Sequence, residues 1–363
     1  MISNEWEEKF LDELCCILDS KRVPITKKDR NAGIYPYYGA TGVQDYIDSY
    51  IFDETLLLVG EDGAKWGRCE NTAFIVTGKF WVNNHAHILK IKKDTTYEWL
   101  KYYLNYTDLS EYITGTTVPK LNQEKLKQIK IPIPKIDEQK RIAAKLDNAF
   151  QKIEALENNT KENIKNIEDL YNSYLNRIFT ENTDDWEEKT LDELCYILDS
   201  KRVPITKKDR NAGIYPYYGA TGVQDYIDSY IFDETLLLVG EDGAKWVRCE
   251  NTAFIVTGKF WVNNHAHVLK IKKDTIYEWL KYYLNYTDLS EYITGTTVPK
   301  LNQEKLKQIK VPLPPIEEQK KIVDKLDIFN NKIQTIKQNY QNKINLLDNL
   351  KKSILNKAFK GEL

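Results

Sequence analysis

The densest group of chemically useful side chains is a short basic run. Lys21, Arg22, Lys27, Lys28 and Arg30 stand against one acid, Asp29, and Tyr35, Tyr37 and Tyr38 follow closely. Cations neutralise phosphates, and Arg and Lys also donate to guanine edges, so basic residues interleaved with aromatics suit DNA. A solvated polar loop is the competing reading. A second group, Lys65, Trp66 and Arg68, offers charge and a stacking face beside Gly63 and Gly67, which permit close backbone approach; the alternative is a plain hairpin turn. Asn83, His85 and His87 alternate along one predicted strand face. Asn reads adenine and His donates to base or phosphate. His-x-His also ligates zinc, with Cys69 the one obvious further ligand, and a satisfied structural network explains the same residues. Finally, residues 115–120 bring hydroxyls, backbone N–H groups and Lys120 ahead of a short helix, a place to hold a phosphate.

Each candidate has a twin 180 residues on: Lys201, Arg202, Lys207, Lys208, Arg210, Tyr217 and Tyr218, then Lys245, Trp246 and Arg248, then Asn263 and His265, then Lys300. Residues 6–130 recur as 186–310 with five differences: Phe10/Thr190, Cys16/Tyr196, Gly67/Val247, Ile88/Val268 and Thr96/Ile276. Position 67 is where two otherwise equal heads would read unequally. The chain lacks a Gly-rich phosphate loop with Lys-Ser/Thr, an Asp/Asn-Pro-Pro-Tyr/Phe motif, a Gly-x-Gly cofactor loop and a nuclease carboxylate set. No catalysis, metal or cofactor is expected of it.

The elements that position these residues follow from pattern. Residues 55–59 make a short apolar strand, 80–91 alternate as one half-buried strand, 97–113 show helical spacing, and a short helix is expected near 123–129. Pro-punctuated exits, IPIPKIDEQ and VPLPPIEEQ, close each block. Beyond them, apolar residues step by three and four: Ile142, Leu146, Ile153, Leu156 and Ile167 in the first copy, and Ile322, Leu326, Ile333, Ile336 and Leu347 in the second. That narrow stripe predicts a coiled-coil seam, on helices spanning roughly 65 Å. The expected fold is α+β: two mixed α/β domains, 1–134 and 182–314, joined by helices 135–181 and 315–363 that pair antiparallel with pseudo-twofold symmetry.

With 52 basic and 54 acidic residues the net charge is -2, so the chain has no overall attraction for nucleic acid and must rely on local patches. Five cysteines without a CxxC pair, and no evident secretory leader, predict reduced thiols and a cytoplasmic location. The longest apolar runs are about five residues, too short to span a membrane.

The segments YPYYGATGVQDYIDSYIFDETLLLVGEDGAKW, TGKFWVNNHAHILKI and GTTVPKLNQEKLKQIKIPIP, the EQ-headed helices and the closing AFKGEL resemble the specificity subunit of type I restriction-modification systems, over essentially the whole chain and twice in order. The resemblance implies that each head is a target recognition domain reading half of a bipartite site in the major groove. It implies that the helices set the spacer and dock two modification subunits, which carry S-adenosylmethionine and methylate adenine. Restriction subunits would add ATP- and Mg-dependent translocation and cleavage. Such subunits usually carry two unlike domains; two nearly identical ones imply a half-site and its inverted complement, with centres roughly 34 Å apart. A partner that fuses methylation and cleavage, or a symmetric adaptor binding protein instead of DNA, remain the alternatives.

Overall fold

The computed structural model describes residues 6–181 and 185–363. The chain forms two compact units, Met1–Thr160 with Gln341–Leu363, and Lys161–Tyr340. Each unit is therefore one repeat block plus a stretch of both long helices. The domain boundary expected at residue 182 lies outside the described residues. No helix among the described residues is long and apolar enough to cross a membrane.

In the first unit the chain runs through β1 (Glu7–Phe10), the one-turn α1 (Leu11–Leu14), β2 (Cys15–Ile17), β3 (Ala32–Gly39), β4 (Gly42–Ile47), β5 (Phe52–Asp53), β6 (Leu56–Gly60), β7 (Ala73–Val76), β8 (Lys79–Val82) and β9 (Ala86–Ile91). It continues through α2 (Tyr97–Tyr106), α3 (Gln123–Lys127) and β10 (Lys130–Ile133) into the long helix α4 (Ile136–Thr180). One sheet has the order β2-β9-β6-β7 and is antiparallel; the other, β4-β3-β8-β5, is parallel only between β3 and β8. β1 pairs with β10. The second block repeats both four-stranded sheets.

The apolar run of β6 reflects burial on both faces. Leu57 and Val59 join the larger core with Trp99, Leu100 and Leu126, while Leu56 and Leu58 face a smaller one with Phe52, Phe80 and Val82. The alternation over 80–91 belongs to two strands in different sheets rather than one. Phe80, Val82, Ala86 and Ile88 still share a core, because β8 and β9 keep the same phase across the connecting turn at 83–85. The helix expected over 97–113 ends at Tyr106, where Asp108 Oδ1 accepts a bond from the Ser110 N–H (2.9 Å) and turns the chain. Thr96 caps α2 by accepting from the Trp99 N–H at 3.1 Å. Its twin Ile276 makes no such bond, so the second copy forgoes about 1 kcal/mol.

A buried amide joins head to helix. Gln139 is fully buried; its Nε2 donates to Asp94 O (3.1 Å) and Pro134 O (2.9 Å), and its Oε1 accepts from Thr95 Oγ1 (3.1 Å) and Thr96 N (3.2 Å). Gln319 does the same in the second unit. With every polar atom satisfied, the group fixes the helix exit instead of destabilising the core.

Within each unit the helices pair antiparallel. In the first, Arg141 Nη2 donates to Leu363 O at 2.5 Å and Glu157 meets Lys351 at 2.9 Å, while Ile142, Leu146, Ile153 and Leu347 are buried. In the second, the last long helix (Ile316–Phe359) buries Leu326 and Ile333 against residues 161–180. Phe329 packs on Tyr171 and Tyr174, and Lys337 meets Glu168 at 2.6 Å. Ile167 and Ile322 are half-buried. Two seam assignments are corrected: Leu156 and Ile336 are 44% and 40% exposed. Their C-terminal neighbours Glu157 and Lys337 take the facing positions and close the seam with ion pairs.

Candidate nucleic-acid interface

The basic run lies on the segment between β2 and β3, and the fold sorts its members into two kinds. Arg22 turns inward. It pairs with the Glu61 carboxylate, donates to Asp19 O (3.1 Å) and Ala86 O (3.1 Å), and sits 3.5 Å from Asp19 Oδ2. Arg30 also turns inward, bonding Ile25 O (3.1 Å) and Asp45 (3.2 Å) with its guanidinium 4.2 Å from the Tyr37 ring centroid. Tyr37, 1% exposed, lies beneath the segment, its hydroxyl accepting from the Ile25 N–H at 3.0 Å. Trp81 Nε1 donates to Val23 O at 2.6 Å. Planar guanidiniums suit such multi-bond anchoring, whereas ammonium groups keep their water. Lys21, Lys27 and Lys28 are exposed and pair with no carboxylate among the described residues. The run is thus a pinned segment presenting three free cations. The second copy has the same pins, Arg202, Arg210 and Tyr217, and the same outward Lys201, Lys207 and Lys208.

Arg22, Arg30 and Tyr37 are therefore corrected from candidate DNA contacts to supports, as are their twins. Asn83 joins them. It is 2% exposed, donates to Gln44 Oε1 (3.1 Å) and accepts from the His85 N–H (2.8 Å), which shapes the 83–85 turn; Asn263 is buried alike. Trp66 and Trp246 are half-buried with Nε1 on Gly60 O and Gly240 O. Arg68 reaches Asn356 Oδ1 (2.9 Å) and lies 4.7 Å from the Tyr106 ring, and Arg248 reaches Asn176 Oδ1 (3.1 Å) over Tyr286. Both clamp a head to a helix. Tyr38 and Tyr218 pack edge-on against Phe80 and Phe260. Lys65 is exposed and makes no ion pair among the described residues, while Lys245 reaches Glu250 at 3.2 Å. A Cβ at Gly67 would meet only Glu70 Cγ, at 3.7 Å, so Val247 fits the same backbone.

Behind the segment lies a charge cluster that the sequence reading missed. Asp19, Glu61 and His87 place ligand atoms within 4.8 Å of one another. His87 is fully buried, with Nδ1 2.6 Å from Asp19 Oδ2 and Nε2 2.6 Å from Leu121 O. Lys120 meets Glu61 at 2.8 Å. Burial pushes the Asp19 carboxyl up, but the bond and charge of His87, the Ile88 N–H and Arg22 outweigh it and hold it below its ordinary value. Glu61 follows the same balance, with Lys120 and Arg22 as the cations. Arg22 and Lys120 already balance the two carboxylates, so the donor set does not suit an added metal ion. Cys69 is not part of the cluster. Asp199, Glu241, His267, Arg202 and Lys300 repeat it. Lys120 and Lys300 thus spend one face on a carboxylate. His85 and His265 remain at the surface, with Nδ1 2.5 Å from Asp62 and Asp242. The lysine segment, the 83–85 turn and the 114–120 loop meet through this cluster.

Comparison with known proteins agrees with this architecture. A family model described as the type I restriction modification DNA specificity domain matches residues 3–166 and again 183–346. A putative type I restriction enzyme specificity subunit of Haemophilus influenzae is 28% identical over 356 residues, covering 92% of this chain and 90% of its own length. The EcoDI specificity subunit of Escherichia coli is 24% identical over 416 residues, covering 99% and 89%. Among solved structures, a chain from a type I restriction-modification complex superposes with a TM-score of 0.75 at 17% identity over 100% of both chains. The HsdS subunit of Thermoanaerobacter tengcongensis gives 0.55 at 17% identity, over 100% of this chain and 98% of that one. With its two matched domains, the chain belongs to the type I restriction-modification DNA specificity family and is a specificity subunit with two recognition domains.

Proposed function

We propose that the two heads grip the two halves of one bipartite target in duplex DNA, and that Lys21, Lys27, Lys28 and their twins Lys201, Lys207 and Lys208 neutralise its phosphates. The observation that carries this reading is the pinned segment, which holds three unpaired cations in a fixed place and occurs twice. Two nearly identical heads read the same half-site, and the antiparallel helix pairing supports inverted halves. The target is then its own reverse complement.

In this reading the chain itself is non-catalytic and works in the cytoplasm. Two modification subunits dock on its helices, with S-adenosylmethionine, ATP and Mg on the modification and restriction partners. Apolar side chains exposed on those helices, Leu156, Ile328, Ile336 and Leu346, support docking, since such side chains gain by being covered.

Titrating duplex DNA with the assembled complex at several salt concentrations tests the reading. Affinity should fall steeply with salt, and each lysine changed to Ala should flatten the log–log slope by about 0.9 while weakening all sequences alike. A symmetric protein-binding adaptor would show no salt-sensitive DNA binding, and unchanged slopes would remove these lysines from the interface.

A further inference from the structure

Ile34 is the most exposed large apolar side chain among the described residues, at 79%, followed by its twin Ile214 at 78%. Its position is built. Both Ala32 and Tyr35 pair with Ile47, so Gly33 and Ile34 form a two-residue bulge in β3. Bulges re-aim side chains out of a ladder. A Cβ at Gly33 would lie 2.3 Å from the backbone of Ile47 and Asp48, so only glycine allows this approach. The Asp48 N–H to Asn31 O bond (3.2 Å) closes one side of the bulge, and Tyr35 packs on Tyr50 at 5.0 Å on the other. The ladder thus carries an extra pair of residues whose effect is to hold an isoleucine in water, a few residues from the unpaired Lys27 and Lys28. An exposed apolar side chain on the same stretch of chain as exposed lysines fits an occupant with anionic edges and an apolar floor. Duplex DNA has both: phosphates along the rim and thymine methyl groups on the major-groove floor.

We propose that Ile34 and Ile214 are specificity-determining residues that contact a thymine methyl, one in each half-site, while Lys27 and Lys28 hold the adjacent phosphates. The inference rests on the DNA-binding reading above and assigns a base reader to it. Ile34 makes no contribution to either core, so Ile34→Ala with Ile214→Ala leaves folding intact, which an unchanged melting curve verifies.

The test uses the assembled complex and duplexes carrying the modified motif, with thymine exchanged for deoxyuridine at one symmetric pair of positions at a time. Removing a buried methyl is expected to weaken wild-type binding about fivefold per half-site at one pair. The double Ala variant should lose that sensitivity, keep the wild-type salt slope, and bind the thymine and deoxyuridine duplexes alike. Additive losses, or wild-type indifference to every methyl, would overturn the inference, as would a variant that fails to assemble with modification subunits, since that would make Ile34 a protein contact. A wild-type complex without salt-sensitive DNA binding would instead defeat the functional reading itself.

Discussion

Replacing Asp19 by Ala should destabilise the first recognition domain by about 3–5 kcal/mol, and Asp199→Ala the second by a similar amount. Asp19 accepts from the Ile88 N–H (3.0 Å) and from Gln123 Nε2 (3.2 Å), lies 2.6 Å from His87 Nδ1, and offsets Arg22. Removing it leaves the buried Ile88 N–H and the buried His87 ring nitrogen without their partner, and that penalty exceeds the value of any one bond. Denaturant unfolding should show one domain shifted and the other unchanged; a loss below about 1 kcal/mol would mean that the cluster is not the keystone described. The same groups set an acid limit. The Asp19 and Glu61 carboxyls lie below their ordinary values of 3.8 and 4.5. Their contribution is therefore complete above those values and is lost as pH falls through the lower folded ones. Stability should be flat with respect to these groups between neutral pH and about 5 and drop below about 4. The Ala variants should lack their share of that drop.

Phe359→Ala should cost the first domain about 3–5 kcal/mol, and Phe179→Ala the second the same. Phe359 is 1% exposed and packs on Trp99 (5.1 Å), Tyr103 (5.3 Å) and Tyr106 (4.8 Å). Phe179 sits on Trp279 (5.2 Å), Tyr283 (5.4 Å) and Tyr286 (5.0 Å). Phe179 fills a slot in the head that follows it in sequence, whereas Phe359 fills one in the head at the opposite end of the chain, so the closing AFKGEL segment is part of the first domain's core. Domain-resolved thermal melts of the two variants should destabilise opposite domains. Equal effects on both domains, or none, would contradict the packing.

The duplication, the long helices and the short apolar strand β6 were legible in the sequence because each rests on a pattern: identity at a fixed offset, steps of three and four, an unbroken apolar run. The break between β8 and β9 was not, since both strands keep one alternating phase and residues 83–85 contain neither Gly nor Pro to mark a turn. Candidate side chains were legible as a charge cluster, but their roles were not. Arg22 and Lys21 are adjacent, and which one turns inward depends on Glu61, a partner 39 positions away from Arg22. Asp19 carries no local signal of burial, for the hydrogen-bond partners of its carboxylate come from β9 and α3. Gln139 stood in plain view within the EQ heading, yet only its place at the head–helix junction shows why an amide belongs there. The seam drifted at Leu156 and Ile336 because ion pairs, which apolar spacing does not register, occupy the facing positions.

The reading of equal half-sites by two nearly identical heads is the property on which the proposed function turns. It is tested most directly by sequencing the methylated positions in the genome of a host that expresses this subunit with its modification partner. One bipartite motif with an unspecified spacer is expected, its two halves reverse complements of each other. A modified motif with two unlike halves would contradict it.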